Sequence, residues 1–309
     1  FKAALTNSIP MLRVVIAPHG AVAYDPTHEF GGSKNDIKHA QALHRGLKEA
    51  GKEVAAFKPD VILLTTPHGI ADEDAYSFYN NTEACGNADQ SEGVNQFKGY
   101  PDIHQPIDVD LSRKIASSIK DQQIDVRNLT GFAPHSMPLR WGEVIPLSFL
   151  NTKEFNPSLE SVANTVFLSF PCRRFIENGV PMIDELLKLG GVVGKTLSSL
   201  DKKVLVCISG DLAHTHGDNG PLGSSPSAEL FDSAIERWLR TFDRKELLEV
   251  AAKHAPDGKS CGYTGFVMLQ GLMDAVGKNW KSNIMAGPVH PTYYGMLVAS
   301  IYEEATEKV

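Results

Sequence analysis

The chain has 309 residues, of which 42% are hydrophobic and 22% charged, so it is long enough to bury the core of an ordinary globular protein of enzyme size. A formal net charge of −7 at pH 7 argues against nucleic acid or an anionic membrane surface as a partner. Since no apolar run reaches the roughly 18 residues of a membrane span, we expect no membrane partner either.

The cysteine pattern and the first residues favour a cytoplasmic location. The four cysteines show neither CxxC spacing nor the density of a disulfide scaffold, which is typical of reduced thiols. The opening Phe-Lys-Ala-Ala-Leu lacks the apolar region of a signal peptide. Cys207 lies inside an apolar run and is predicted to be inert core.

Strand-like and helix-like segments alternate along the chain. Strands are predicted at 11–17, 61–66, 124–129, 143–150, 165–170 and 203–209. Helices are predicted at 36–50, where Gly51 is the expected stop, and at 109–119, 181–189, 227–242, 244–254 and 266–276. The stretches 20–33 and 70–106 are too rich in glycine and polar residues for regular structure, and the second is a candidate functional loop. The tail 290–302 carries aromatic residues and a final apolar run. This order predicts one α/β domain over 1–309, with a central mostly parallel or mixed β-sheet flanked by helices.

Two predicted strands end in the same tripeptide. Pro18-His19-Gly20 follows the first strand, and Pro67-His68-Gly69 follows the second. If these strands are parallel neighbours, both imidazoles reach the sheet edge where open α/β sheets bind ligands. We predict that His19 and His68 bind one metal ion, although imidazole suits zinc, copper, iron and nickel alike. The alternative is a pair of turn histidines that bond to backbone carbonyls.

A third histidine follows the late strand, in the segment Gly210-Asp211-Leu212-Ala213-His214. Beside a metal held by other residues, His214 is a candidate general acid/base, because its reference pKa is about 6.5. The alternative is that it only caps the strand end. His216 is interpreted as flanking, because alternation along an extended segment would point it away from His214.

The spacing of the carboxylates does not identify a third metal ligand. Two histidines and one carboxylate would indicate a non-haem iron(II) oxygenase. Ser260-Cys261-Gly262, just ahead of a predicted helix, offers a thiolate that the helix N-terminus would favour. An inert, small hydrophobic role for Cys261 is the alternative.

In their order and placement, these motifs resemble the catalytic subunits of class III extradiol ring-cleavage dioxygenases, the protocatechuate 4,5-dioxygenase β-subunit type. A further similar piece is Trp-Gly-Glu-Val-Ile-Pro-Leu-Ser-Phe-Leu at 141–150. The resemblance implies a single α/β domain with iron(II) held by His19 and His68, and His214 as the acid/base. It also implies a small aromatic diol or aminophenol and O2 as substrates, a role in aromatic compound degradation, and a homodimer or a small second subunit as the assembly.

The chain departs from that family in two places. The family carries a substrate-contacting histidine where Trp141 aligns, so Trp141 and, as a spatial substitute, His135 are the candidate substrate-binding residues. The family's late glutamate ligand is missing, since Asp257 is the only carboxylate in 257–266. Cys261 instead resembles the Cys-Gly motif of the Memo-like branch of the superfamily, in which two histidines and a cysteine line the site. The alternatives are therefore a Memo-like metal-binding protein without dioxygenase activity, and a zinc-dependent hydrolase. Zinc and copper are the alternatives to iron.

Overall fold

A large mixed β-sheet forms the centre of the protein, with a small three-stranded sheet beside it. The computed structural model describes residues 12–27, 31–90, 98–132, 134–171, 174, 182–217, 220–277 and 279–303. The strands are β1 (Leu12–Ala17), β2 (Val61–Thr66), β3 (Tyr76–Tyr79), β4 (Glu83–Gly86), β5 (Ile103–Pro106), β6 (Val126–Leu129), β7 (Met137–Leu139), β8 (Asn164–Ser169), β9 (Val204–Ser209), β10 (Trp280–Val289) and β11 (Met296–Glu303).

The helices connect these strands. They are α1 (Ala21–Tyr24), α2 (Lys34–Phe57), α3 (Val109–Lys120), α4 (Trp141–Asn151), α5 (Ile183–Ser198), α6 (Ser227–Thr241), a π-helical stretch (Glu246–Ala251) that continues into α7 (Ala252–Gly258), and α8 (Tyr263–Val276). None of the helices described is long and apolar enough to cross a bilayer.

The large sheet has the order β10-β11-β1-β9-β2-β8-β3-β6. The four central strands β1, β9, β2 and β8 are mutually parallel, whereas β11 pairs antiparallel with both β1 and β10, and β3 pairs antiparallel with β8. The prediction of an α/β domain with a mostly parallel or mixed sheet is confirmed.

Both faces of the sheet are buried, which explains why its central strands carry apolar residues on both faces instead of alternating them with polar ones. Alternate residues of β1 serve two cores. Val14 and Ile16 join a cluster with residues of α3, α5, α6 and α8. Val15 and Ala17 join a second cluster with residues of α2 and α4. The helices therefore form one layer on each side of the sheet.

The segment 143–150, predicted as a strand, lies instead within helix α4. The Glu143 side chain accepts a hydrogen bond from the Arg140 main-chain N–H (3.1 Å) and caps the helix start. Ten of its eleven residues are buried, so the sequence shows no polar face from which a helical period could be recognised. Pro146 lies inside the helix.

Helix α2 also differs from its prediction, because it continues through Gly51 and ends at Phe57. Lys58 takes the left-handed conformation that closes it, with φ of 53°. A Cβ at position 51 would lie 2.5 Å from the Phe149 carbonyl oxygen, so Gly51 allows α2 and α4 to approach closely instead of ending the helix.

The stretch 70–106, predicted to be irregular, contains the three short strands β3, β4 and β5. They are only four residues long, which leaves too few alternations for a period to show. The strands β7, β10 and β11 were also missing from the prediction, and the helix predicted at 181–189 extends to Ser198 as α5. The stretch 20–33, predicted to be irregular, contains the short helix α1. Met11 and Pro181, the first residues of two predicted elements, lie outside the described residues.

Candidate functional site

The site lies at the carboxyl ends of three adjacent parallel strands. His19 follows β1, His68 follows β2, and His214 follows β9. The strands β1 and β2 are parallel but not neighbours, because β9 runs between them. Ala17 is opposite Ser209, and Thr65 is opposite Ile208, so the three strands end at nearly the same level. The interposed strand is what brings His214 and its preceding residues to the two predicted ligands.

The structure brings His19, His68 and Cys261 together. The two imidazole rings lie edge to face, with centroids 4.8 Å apart. The Cys261 sulfur lies 3.3 Å from Nε2 of His19. One potential ligand atom from each of the three residues falls within 4.8 Å of the others. Their association into a metal centre stays a prediction, but the placement is the one that the sequence predicted.

Asp211 belongs to the same site and was missed as a functional residue. Asp211, His214 and Cys261 form a second group whose potential ligand atoms lie within 4.8 Å of one another. The Asp211 carboxylate accepts a hydrogen bond from the His19 main-chain N–H (3.1 Å), and its other oxygen lies 3.4 Å from Nε2 of His19. Its signal in the sequence was its place directly after the late strand, in the segment that carries His214.

A hydrogen-bond relay fixes the ring of His19. Pro146 has no N–H, so the Gly142 carbonyl four residues earlier lacks its helical donor. The Ser209 hydroxyl donates to that carbonyl, and its oxygen lies 2.9 Å from Nδ1 of His19. Because its one proton is already used, Ser209 accepts from the Nδ1–H of His19. Nε2 then carries the lone pair and faces Cys261.

Two glycines set the position of Cys261. A Cβ on Gly210 would lie 2.5 Å from the Cα of Gly262, and a Cβ on Gly262 would lie 2.8 Å from the Asp211 carbonyl oxygen. The segment before α8 can therefore approach the end of β9 only because both residues lack side chains. This approach places the Cys261 sulfur 3.2 Å from the Asp211 N–H, which donates to it.

Burial disfavours the charged form of the titratable groups in the site. Desolvation lowers the pKa of His68 to about 4 and that of His214 to about 3, the second also through the neighbouring charges of His68 and His216. Desolvation raises the pKa of Asp211 to about 7 and raises that of the Cys261 thiol, where the Asp211 charge adds to the effect. Neutral imidazole is the form that binds metals, whereas the thiol must lose its proton to do so.

His214 presents a buried ring nitrogen to this site. Its Nε2 has no hydrogen-bond partner among the described residues. The ring lies 5.4 Å from that of Tyr294 and 6.3 Å from that of Tyr293, centroid to centroid. Unpartnered buried polar atoms are rare, and this one is free to exchange a proton with a ligand.

The two predicted substrate-binding residues are placed differently. The Trp141 ring lies against the His68 ring, with centroids 5.8 Å apart and planes at 40°. The Arg140 guanidinium lies over the Trp141 ring, 5.2 Å from its centroid. His135 is exposed in the loop after β6, and its carbonyl accepts a hydrogen bond from Asn81 (2.7 Å). Within the described part of the chain, no ring contact joins His135 to the three site histidines, so its role stays a prediction.

The donor set fits a transition-metal ion. Two imidazoles and a thiol converge, a carboxylate lies beside them, and the unpartnered Nε2 of His214 is buried. Nitrogen and sulfur donors of this kind suit iron, zinc and copper rather than magnesium or calcium. The group of His19, His68 and Cys261, with Asp211 beside it, is therefore able to hold a metal ion.

Comparisons with known proteins show the family and the fold of the chain. A model of the family described as the catalytic LigB subunit of aromatic ring-opening dioxygenase matches residues 13–293. Protein CA_C1420 of Clostridium acetobutylicum is 21% identical over 289 residues, which make up 89% of this chain but only 56% of that protein. An uncharacterized protein of Escherichia coli K12, JW3007, shares the fold, with a TM-score of 0.54 at 14% identity over 94% of this chain and 99% of that one. The chain therefore belongs to the LigB family of catalytic subunits of aromatic ring-opening dioxygenases.

Proposed function

We propose that the protein is a non-haem iron(II)-dependent extradiol dioxygenase, which cleaves the ring of a catechol-type or aminophenol-type aromatic compound with O2. The observation that carries the proposal is the convergence of His19, His68 and His214 from three adjacent strands, with the Nε2 of His214 buried and unpartnered. Membership of a ring-opening dioxygenase family supports the same chemistry.

In this proposal His19, His68 and Cys261 hold the metal. A bound iron(II) ion supplies Lewis acidity and redox chemistry with O2. The protein's own contribution begins with orientation, because the relay from Ser209 holds His19 with Nε2 toward Cys261. Asp211, bonded to the His19 main chain, fixes the same segment from the other side.

In this proposal His214 accepts and returns the proton of the substrate hydroxyl. Its ring is neutral at pH 7, since its pKa is lowered to about 3 by burial first and by neighbouring charges second. A neutral, unpartnered Nε2 can accept the proton of a substrate hydroxyl and return it later, which is general base and then general acid catalysis. Trp141, whose ring lies beside His68, offers an aromatic face against which a substrate ring can stack.

The direct test is anaerobic reconstitution with iron(II), followed by O2 uptake and the absorbance of yellow ring-opened products over a panel of catechols, aminophenols and gallate-like diols. The His214→Ala variant should retain iron and lose ring cleavage, since it removes the proton acceptor and no ligand. His39→Ala, a change on helix α2, is the matched control and should keep both. Loss of iron from the His214→Ala variant would contradict the assigned role.

A second candidate is a Memo-like metal-binding protein without dioxygenase activity. It is favoured by one contact, the 3.3 Å between the Cys261 sulfur and Nε2 of His19, which puts a soft donor where the dioxygenases have a carboxylate. Tight copper or zinc binding that is lost in Cys261→Ala, with no O2 uptake on any substrate, would establish it. Ester or amide hydrolysis by the zinc-loaded protein would instead favour a zinc hydrolase.

Two further parts of the proposal concern the protein in the cell. We place it in the cytoplasm, where its cysteines would stay reduced. We also expect it to form a homodimer or to bind a small second subunit, and light scattering of the purified chain measures which mass is present.

A further inference from the structure

A second cluster of potential metal ligands lies outside the pocket described above. It consists of His216, Glu229 and His290, and one ligand atom from each falls within 4.8 Å of the others. Glu229 Oε1 lies 3.5 Å from Nδ1 of His216 and 3.3 Å from Nε2 of His290. The two imidazole rings stack, with centroids 4.2 Å apart and planes at 5°.

A buried carboxylate orients one of these rings. Asp232 is 4% exposed, accepts a hydrogen bond from the Ala213 main-chain N–H, and lies 2.8 Å from Nε2 of His216. Histidine ligands of metals very commonly donate their other ring N–H to a carboxylate in this way. With its Nε2–H committed to Asp232, neutral His216 directs the lone pair of Nδ1 toward the Glu229 oxygen.

A lone pair that faces a carboxylate oxygen is repulsive unless a positive charge lies between them. Either a proton on His216 or a metal ion can supply it. The metal-free arrangement is a proton on His216 together with an Nε2–H of His290 that donates to Glu229. The convergence of two imidazoles and a carboxylate, with Asp232 behind one of the rings, is also the arrangement of a metal site. We propose that His216 Nδ1, Glu229 and His290 Nε2 form a second site for a divalent transition-metal ion of the zinc class.

Binding requires one movement. The nitrogen lone pairs of two parallel stacked rings lie in separate planes and cannot converge on one ion, so one ring must tilt. His290 is the ring that can do so, since its side chain is 44% exposed, whereas that of His216 is 2% exposed and held by Asp232. In this site His216 is the fixed ligand and His290 is the ligand that moves.

The position of this cluster links it to the wall of the candidate active site. The His216 N–H donates to the Tyr293 carbonyl (3.0 Å), and the Tyr293 ring lies against His214. A metal held by His216, Glu229 and His290 would fasten the segment after β9, the first turn of α6 and the segment before β11 to one another. This second site would stabilise the wall without supplying a ligand to the first.

The test is the zinc stoichiometry of the full chain, measured by competition with a chromophoric chelator. His290→Ala should bind one zinc ion fewer than the wild type, and His39→Ala should match the wild type. Cys261→Ala should keep the zinc that His290→Ala loses, which separates the two sites. Glu229→Gln should weaken that zinc by about tenfold or more.

Cobalt(II) provides a second readout. The outer cluster has no thiolate, so His290→Ala should lose visible ligand-field absorbance and leave any sulfur-to-cobalt band of Cys261 unchanged. An equal zinc stoichiometry in the wild type and a folded His290→Ala variant would overturn the proposal and leave a protonated His216 as the occupant.

Discussion

The buried carboxyl of Glu143 should make the protein less stable as the pH rises toward neutrality. Glu143 is 1% exposed, accepts a hydrogen bond from the Tyr79 hydroxyl (2.7 Å), and caps α4 through the Arg140 N–H. Burial raises the pKa of Glu143 from 4.5 to about 7, and the hydrogen bonds from Tyr79 and Arg140 only partly oppose it.

The sign of the effect follows from proton linkage. Between pH 4.5 and 7 the folded protein keeps a proton on Glu143 that the unfolded chain has released. The free energy of unfolding therefore falls as the pH rises through this range, and the contribution is constant below and above it. At about 1.4 kcal/mol for each pKa unit, the total loss is about 3 kcal/mol.

Glu143→Gln removes the titration while keeping the size of the side chain. Urea unfolding of wild type and variant at intervals from pH 4 to pH 8 measures the difference in the free energy of unfolding. This difference should shift in favour of the variant by about 3 kcal/mol between pH 4.5 and 7. The exposed Glu154 provides the matched control, since Glu154→Gln should not change the slope. Parallel curves for the wild type and Glu143→Gln would refute the reasoning.

Three other outcomes follow from the site. Ser209→Ala should weaken metal binding by about 10- to 100-fold in chelator competition, because it releases the Nδ1–H of His19; an unchanged affinity would contradict the relay. Gly262→Ala should lower the free energy of unfolding by about 1–3 kcal/mol, because its Cβ overlaps the neighbouring backbone. Gly191→Ala, whose Cβ meets only ordinary contacts at 3.8 Å, should not be destabilising, and equal losses would refute the close-approach argument. Zinc binding near pH 7 should release about one proton fewer in Cys261→Ala than in the wild type, as a pH indicator in weak buffer would record, because the thiol enters the site protonated.

The central strands and the histidines that follow them could be predicted from the sequence, because a strand that is buried on both faces shows a nearly continuous apolar run. β2 was predicted with its observed bounds, and β9 differs by one residue at its start. The order of the strands could not be predicted, since nothing in the sequence indicates that β9 lies between β1 and β2. The two Pro-His-Gly strands are therefore parallel without being neighbours, and both histidines still reach the same edge of the sheet.

Helix α4 shows the limit of periodicity. A helix that is buried on all sides and a strand that is buried on both faces look alike in sequence, and Pro146 argues against a helix because proline is disfavoured in a helix interior. The proline is tolerated because Ser209 supplies the hydrogen bond that Pro146 cannot donate to Gly142. Ser209 lies 63 residues after Pro146 in the chain, so no local sequence pattern can indicate this hydrogen bond.

The donors of the candidate metal centre come from two separable parts of the fold. His19 and His68 extend from strands of the sheet, whereas Cys261 is carried by the segment that leads into α8 and reaches the sheet through a glycine-to-glycine contact. A change at position 261 can therefore alter the hardness of the donor set without disturbing strand pairing. Replacement of the thiol by an oxygen donor would turn the preference from soft ions toward harder ones, so a scaffold of this kind can diverge in metal identity by a single substitution while its sheet stays the same.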